Sequence, residues 1–518
     1  MTNSVSSIFN YIIKDPIVDF FNYHGKTKGF YPDSFYNKTS NSFGEFIIDL
    51  GYRWENKVIE HIKKKIEIIT VERSDNALEE TIKLININTP VINQGFLKNE
   101  YFHGYVDLLI HIDYIKEIFD NVNDDIIKFL ERKEIKYVPI DIKLSYNEDK
   151  NKYYTKYIQT QLYLYGNMLY KILGKETNLI MGFIISKQSL KGKIKINVLK
   201  LTDYLQKDAL EAYNWLEKVK NEGIEWDIFN SKNVELYPNM KNLYDSKWKN
   251  AKKIIANHKN EITNLYYCCS ELKEKCFNNK VYNFKDPNFI KVLESKYKSD
   301  CNTLQIIKDM INNKENEILK REIKIRGKII YIDIENVHNH YKYILDEYNE
   351  IKNELIVQIG IGFLNYENKW IYKSFDSYNY SISNDNEEKI IQEFKKYIEY
   401  IQIEYEHITF VCYTKAENKL FEKIKMVNYS VLDLHEETKK LRLKGLYSYS
   451  LKNVIKALNE RQKVEINYDN CEIKDGMSAM ILVLKKDKEK LNEHDINELK
   501  KYNEIDCRAL YELFKILF

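Results

Sequence analysis

The stretch VPIDIKLS, from Val138 to Ser145, decides how this chain is read. Four of the five residues from Val138 to Ile142 are apolar or ring-closed, which predicts a strand. Asp141 and Lys143 stand two apart, so on that strand they point to the same face. Opposite charges sharing one face of a mostly buried strand are costly unless they have a task. A second predicted strand, YFHGYVDLLI, sets Asp107 among apolar residues a short hairpin upstream. Further upstream, Glu55 rides on GYRWENKVIEHIKKKIEII, whose stripe of Trp54, Val58, Ile59 and Ile62 predicts a helix. Two strand carboxylates, a helix carboxylate and a lysine are what metal-dependent phosphodiester hydrolysis requires. Carboxylate oxygens suit Mg2+ or Mn2+. Such a cation neutralises the scissile phosphate and lowers the pKa of a bound water. Lys143 is placed to orient that water or to steady the developing charge.

Along the chain stand G-x-x-D (Gly104 to Asp107), D-I-K (Asp141 to Lys143) and Q-L-x-x-Y (Gln161 to Tyr165). This succession resembles the RecB-like branch of the PD-(D/E)xK nuclease superfamily. The resemblance implies an α/β fold with a restriction-endonuclease-like α/β/α core. It implies Glu55, Asp107, Asp141 and Ile142 as metal-holding residues and Lys143 as catalytic. Gln161 and Tyr165 would act from the helix behind the active strand, touching the site or the DNA. Glu55 occupies the position where the family carries His or Glu, and His61 and His103 are read as bystanders.

The same oddity recurs in IIYIDIENVHN, where Asp333 and Glu335 alternate with Ile332 and Ile334. Both carboxylates then face one way from a buried strand. Near the C-terminus, YNEIDCRALYELF carries Tyr502 and Asp506 one helical turn apart, on one face. Between them, the apolar strand in ITFVCYTKAENKLF delivers Glu417 at the start of a helix, and SYSLKNVIKAL precedes the final helix. D-x-E on a strand with Y-x-x-x-D near the end resembles the DEDDy exonucleases, on an RNase H-like fold. In that family four carboxylates hold two metal ions roughly 4 Å apart. The resemblance implies Asp333, Glu335, Glu417 and Asp506 as ligands and Tyr502 as the residue that aligns the water. Asp is usual where Glu417 stands. The rival, Asp433 in VLDLHEE, follows a strand and precedes a helix, which reads as an N-cap.

A chain of 518 residues exceeds one ordinary core. The expected division is a RecB-like nuclease domain over 1–230, a helical connector over 231–322 and an RNase H-like exonuclease domain over 323–518. No internal repeat of fixed period interrupts this pattern. The net charge of +3, from 80 basic and 77 acidic residues, neither demands nor excludes a polyanionic partner. The seven cysteines are scattered, which suits a reducing compartment better than a disulfide framework. Cys268, Cys269, Cys276 and Cys301 have no C-x-x-C pair and no histidine at zinc spacing. No cysteine precedes Cys268, so the iron–sulfur signature of some RecB-like nucleases is missing and no cluster is expected. No window approaches the roughly 18 uninterrupted apolar residues of a membrane span, and the N-terminus lacks a basic leader. These features predict an intracellular protein, cytoplasmic or nuclear, and the load of Ile, Asn, Lys and Tyr points to an AT-rich genome such as that of a large DNA virus.

The two resemblances together imply a metal-dependent nuclease with two centres, each taking up to two Mg2+ or Mn2+ ions. Its substrate would be DNA, single- or double-stranded, with RNA as the alternative polymer and no membrane partner. The rival is one active centre beside a nucleic-acid-binding platform in a recombination or replication scaffold. The oligomeric state is not legible.

Overall fold

The computed structural model describes residues 2–33, 43–119, 121–144, 152–175, 181–186, 196–242, 247–265, 267–297, 302–312, 322–337, 354–380, 382–414, 417–424, 426–441, 446, 449–468, 471–473, 475–486 and 491–518. Cys301 lies outside them. The chain divides into two compact units, Met1–Lys38 with Ile47–Glu261 and Thr39–Phe46 with Ile262–Phe518. The segment expected as a separate connector is therefore shared out. Its first part, up to Glu261, belongs to the first unit, where Trp248, Ala251 and Ile255 join an apolar cluster with Phe20, Phe21 and Trp215. Its second part builds a cluster of its own from Ile262 to Ile307 within the second unit.

The first unit is built on a mixed sheet of β1 (Asn3–Ser4), β2 (Ile68–Thr70), β3 (Val91–Lys98), β4 (Phe102–His111), β5 (Tyr137–Lys143), β6 (Met181–Ser186) and β7 (Ile196–Lys200). The order is β2-β3-β4-β5-β6-β7, with β1 beside β4. Strands β3 to β5 run antiparallel in turn, whereas β5 and β6 are parallel. A parallel pair needs a crossover connection. Between α1 (Ile17–His24), α2 (Phe43–Lys63) and the later helices, α3 (Lys152–Ile172) supplies that crossover, which brings Gln161 and Tyr165 to the sheet. The α2 helix buries Leu50, Trp54, Val58 and Ile62 at four-residue spacing. It stops at Lys63, short of the predicted end. The β-branched run that follows pairs as β2 with Val91–Asn93, because isoleucines fit a pleated surface better than a helix end.

The helices α4 (Tyr204–Glu222) and α5 (Lys249–Lys259) complete this unit. Inside it, Lys252 and Asp15 are both fully buried and meet at 2.6 Å. Asp15 also accepts from the Asn239 N–H and the Asn242 amide, and Lys252 donates to the Asn239 carbonyl. Removing one partner of such a pair strands a buried charge. Lys252→Met is therefore expected to cost about 3–5 kcal/mol, and Asp15→Asn in the same chain should recover part of it. Chemical denaturation of the single and double variants measures both.

The second unit holds β8 (Lys328–Val337), β9 (Leu355–Leu364), β10 (Trp370–Asp376), β11 (Ile408–Cys412) and β12 (Tyr429–Asp433). Their order is β10-β9-β8-β11-β12, antiparallel from β10 to β8 and parallel from β8 to β12. Strand alternation splits β8 between two cores. Ile330 and Ile332 pack in the cluster of Phe394 and Ile398 on α6 (Asn384–Glu404), while Tyr331 packs in the cluster of Val454, Leu458, Leu510 and Leu513. Those last four come from α7 (Leu451–Asn459) and α8 (Glu493–Leu517). Asp333 and Glu335 share the parity of Tyr331, so the sheet turns them toward α8. Among the described residues, no helix is long and apolar enough to cross a membrane.

Two candidate metal centres

In the first unit, β4 and β5 pair from His111–Tyr137 to Leu108–Ile140 and then part. Beyond that point β5 continues with β6 alone as far as Lys143. Asp107 sits at this fork, where its Oδ2 accepts the Ile142 N–H at 2.7 Å. Lys143 Nζ donates to Asp141 Oδ1 at 2.8 Å, so the same-face pair is in contact. Glu55 Oε1 accepts the Gln94 amide at 3.0 Å. Behind the strands, the Tyr165 hydroxyl donates to the Tyr105 carbonyl at 3.0 Å. A Cβ at Gly104 would lie 2.9 Å from that hydroxyl. The glycine of G-x-x-D thus makes room for the tyrosine of Q-L-x-x-Y. His103 is engaged elsewhere, with Thr2 Oγ1 at 2.9 Å.

The charges at this fork shift one another. Burial, then the neighbouring Asp141 carboxylate, pushes Asp107 well above the ordinary carboxylate range. Burial raises Glu55 too, against the pull of Lys143 and the Gln94 amide. Burial alone would lower Lys143, but Asp141 and Asp107 outweigh it and hold the ammonium charged. Two buried acceptors, Asp141 Oδ2 and Gln161 Oε1, have no hydrogen-bond partner among the described residues. The unsatisfied Asp141 oxygen beside mutually repelling carboxylates fits a divalent cation. Glu55, Asp107 and Asp141 are the residues that would hold it.

The second centre is tighter. Asp333, Glu335 and Asp506 each place a carboxylate oxygen within 4.8 Å of the others. Asp506 accepts from Tyr468 at 2.6 Å and also from Tyr502. Asp333 Oδ2 accepts the Asn503 amide at 2.8 Å. The orientation of that amide is fixed by a partly buried relay. Tyr372 donates to Asn503 Oδ1 at 3.0 Å, and Gln358 donates to Tyr372 at 3.2 Å. The strand residue paired with Asp333 is Gly360, where a Cβ would fall 1.5 Å from Asn503 Oδ1. Only glycine lets Asn503 reach the strand.

Burial first, then Asp506 and Glu335, raises Asp333 far above its usual range. Glu335 and Asp506 are raised as well, again mainly by burial. The cation acting on all three is Lys452, on α7, which lies 4.2 Å from the Tyr502 ring centroid and 5.0 Å from that of Tyr468. Among the described residues, one ammonium facing one half-buried and two buried carboxylates leaves net negative charge, and this too fits a divalent ion held by Asp333, Glu335 and Asp506. Glu417 is not one of the three whose oxygens lie within 4.8 Å of one another, yet its charge raises Asp333. It is buried at the start of the helix Asn418–Ile424, its Oε2 has no hydrogen-bond partner among the described residues, and burial followed by Asp433 pushes it up to about 7. Asp433 caps the helix Leu434–Thr438, accepting the His435 N–H at 2.9 Å.

The sequence reading missed Gln94, Lys452, Tyr468 and Asn503. Asn503 alone left a signal, since it lies three residues before Asp506 on one helix face. A scan against family models, a search of curated proteins and a search of solved structures each return no match for this chain.

Proposed function

We propose that the chain is a metal-dependent nuclease that hydrolyses phosphodiester bonds in DNA, with one centre in each unit. The observation that carries the reading is the Asp333–Glu335–Asp506 group, one half-buried and two buried carboxylates whose oxygens lie within 4.8 Å of one another, a charge that a cation would neutralise. At each centre a bound Mg2+ or Mn2+ would supply Lewis-acid charge and a water of lowered pKa. The chain's own residues then do the positioning. In the first unit Lys143, held charged by Asp141, faces the reacting phosphate and steadies charge that develops there. In the second, burial and the carboxylates keep the Tyr502 hydroxyl protonated, and it orients the attacking water. Lys452 adds a fixed positive charge for the phosphate of the strand being trimmed from its 3′ end.

The test follows products from 5′- and 3′-labelled DNA, single-stranded and duplex, with Mg2+ or Mn2+. Asp107→Ala and Asp333→Ala are expected to remove different product classes, because the two centres stand on separate cores. Loss of every product with either change would mean a single active centre. A parent chain that cuts nothing with any divalent ion overturns the reading.

A further inference from the structure

The strand β3 contains an oddity that the proposed reaction does not require by itself. Gln94 has φ +55°, the left-handed region, in the middle of a strand. Its neighbours pair regularly, Asn93 with Leu108 and Gly95 with Val106, so Gln94 stands across from Asp107. A residue with a Cβ rarely adopts this backbone without an outside constraint. A glycine stands one position on, yet its φ is not left-handed. Gly95 is set by packing, since a Cβ there would come 2.7 Å from Leu109 Cδ1. The chain thus places its glycine where space is short and keeps a long side chain where the backbone is strained.

What the strained residue does is visible. Its amide donates to Glu55 Oε1 at 3.0 Å, the one side-chain hydrogen bond Glu55 accepts among the described residues. Glu55 in turn lies within electrostatic reach of Asp107, Asp141 and Lys143. We propose that Gln94 is a positioning residue of the first centre, its left-handed backbone aiming the amide so that Glu55 is held ready for a divalent cation. This rests on the nuclease reading and adds to it a residue that acts through Glu55. Directly opposed residues of an antiparallel pair share a face, so the register across from Asp107 puts Gln94 at this centre, and its hydrogen bond to Glu55 agrees.

The experiment titrates Mn2+ by calorimetry into chains whose second centre is silenced by Asp333→Asn and Asp506→Asn. Gln94→Gly removes both the strain and the amide. It is expected to weaken Mn2+ binding about 10- to 100-fold, the range for losing a group that orients a metal ligand. The melting temperature without metal should hold or rise, because glycine adopts this backbone freely. In a Glu55→Ala background the same change should cost no further affinity. Gln94→Asn, which tolerates the left-handed region but is one methylene shorter, should behave as the glycine variant does and carries the test if that variant fails to fold. Unchanged Mn2+ affinity in both variants overturns the role of Gln94 alone, as does an equal loss with Glu55 already absent. A silent titration of the Gln94-intact chain, unaffected by Asp141→Asn, overturns the nuclease reading of this centre and the inference with it.

Discussion

Asp333→Asn is expected to lower 3′-end trimming by about three orders of magnitude, the scale of losing a metal ligand's charge stabilisation. The same substitution should raise the melting temperature of the metal-free protein. Asparagine keeps an oxygen to accept the Asn503 amide and keeps the pairing of β8 with Gly360. What disappears is one of three crowded charges that repel. Asp333 titrates far above its unfolded value, so at neutral pH the fold carries a penalty for ionising it. That penalty is absent below about pH 4, where the unfolded group is also protonated, and it grows as pH rises. The stability gain from Asp333→Asn should therefore vanish in acid and be largest at alkaline pH. Relief on the order of 1–2 kcal/mol corresponds to roughly 2–8 °C in a unit of this size. Calorimetric melts at several pH values, with and without Mn2+, measure it. A metal-free variant that melts lower than the parent at pH 8 would count against crowded charges at this centre.

Lys143→Met is expected to have the opposite sign on stability and a comparable effect on chemistry. Cleavage by the first centre should fall about 10²- to 10³-fold, the range for removing one group that stabilises developing charge. Methionine fills similar space but leaves Asp141 and Asp107 without their cation. The metal-free variant should melt below the parent at pH 8. Mn2+ should restore most of the loss, since an ion that binds only the folded form stabilises it. Trimming by the second centre should not change. Assays in an Asp333→Asn background isolate the first centre, and full cleavage there would remove Lys143 from the chemistry.

Much of both sites could be read from two periodicities. A spacing of two puts Asp141 beside Lys143 and Asp333 beside Glu335, and a spacing of four stacks Tyr502 with Asp506. The structure keeps each pair together because the periods belong to single elements. What the sequence concealed depends on elements brought together from afar. Lys452 and Tyr468 reach the triad only through packing against α8, and no local pattern marks them. Gln94 carries its information in a backbone angle, which no residue type announces. The expected fourth ligand, Glu417, is a separate case. Glu417 occupies the right place in the order of motifs, and at its helix start its charge acts on Asp333 while Asp433 acts on it in turn. The isoleucine run after Lys63 reads as helix by stripe and becomes β2 because a partner strand is there to receive it.

The hydrogen bond from Asn503 to Asp333 closes a loop of 170 residues. Bringing such distant segments together is slow compared with forming a hairpin such as β9 and β10. The apolar faces of β8 and α8 can dock only by carrying Asp333, Glu335 and Asp506 against one another. Hydrophobic contact and charge repulsion thus arrive in the same step, and the repulsion sets a toll on the helix's final approach. A divalent ion already resting on β8 would remove that toll before the helix lands. Availability of the ion would then govern how fast the second unit is completed, as well as what it does once complete.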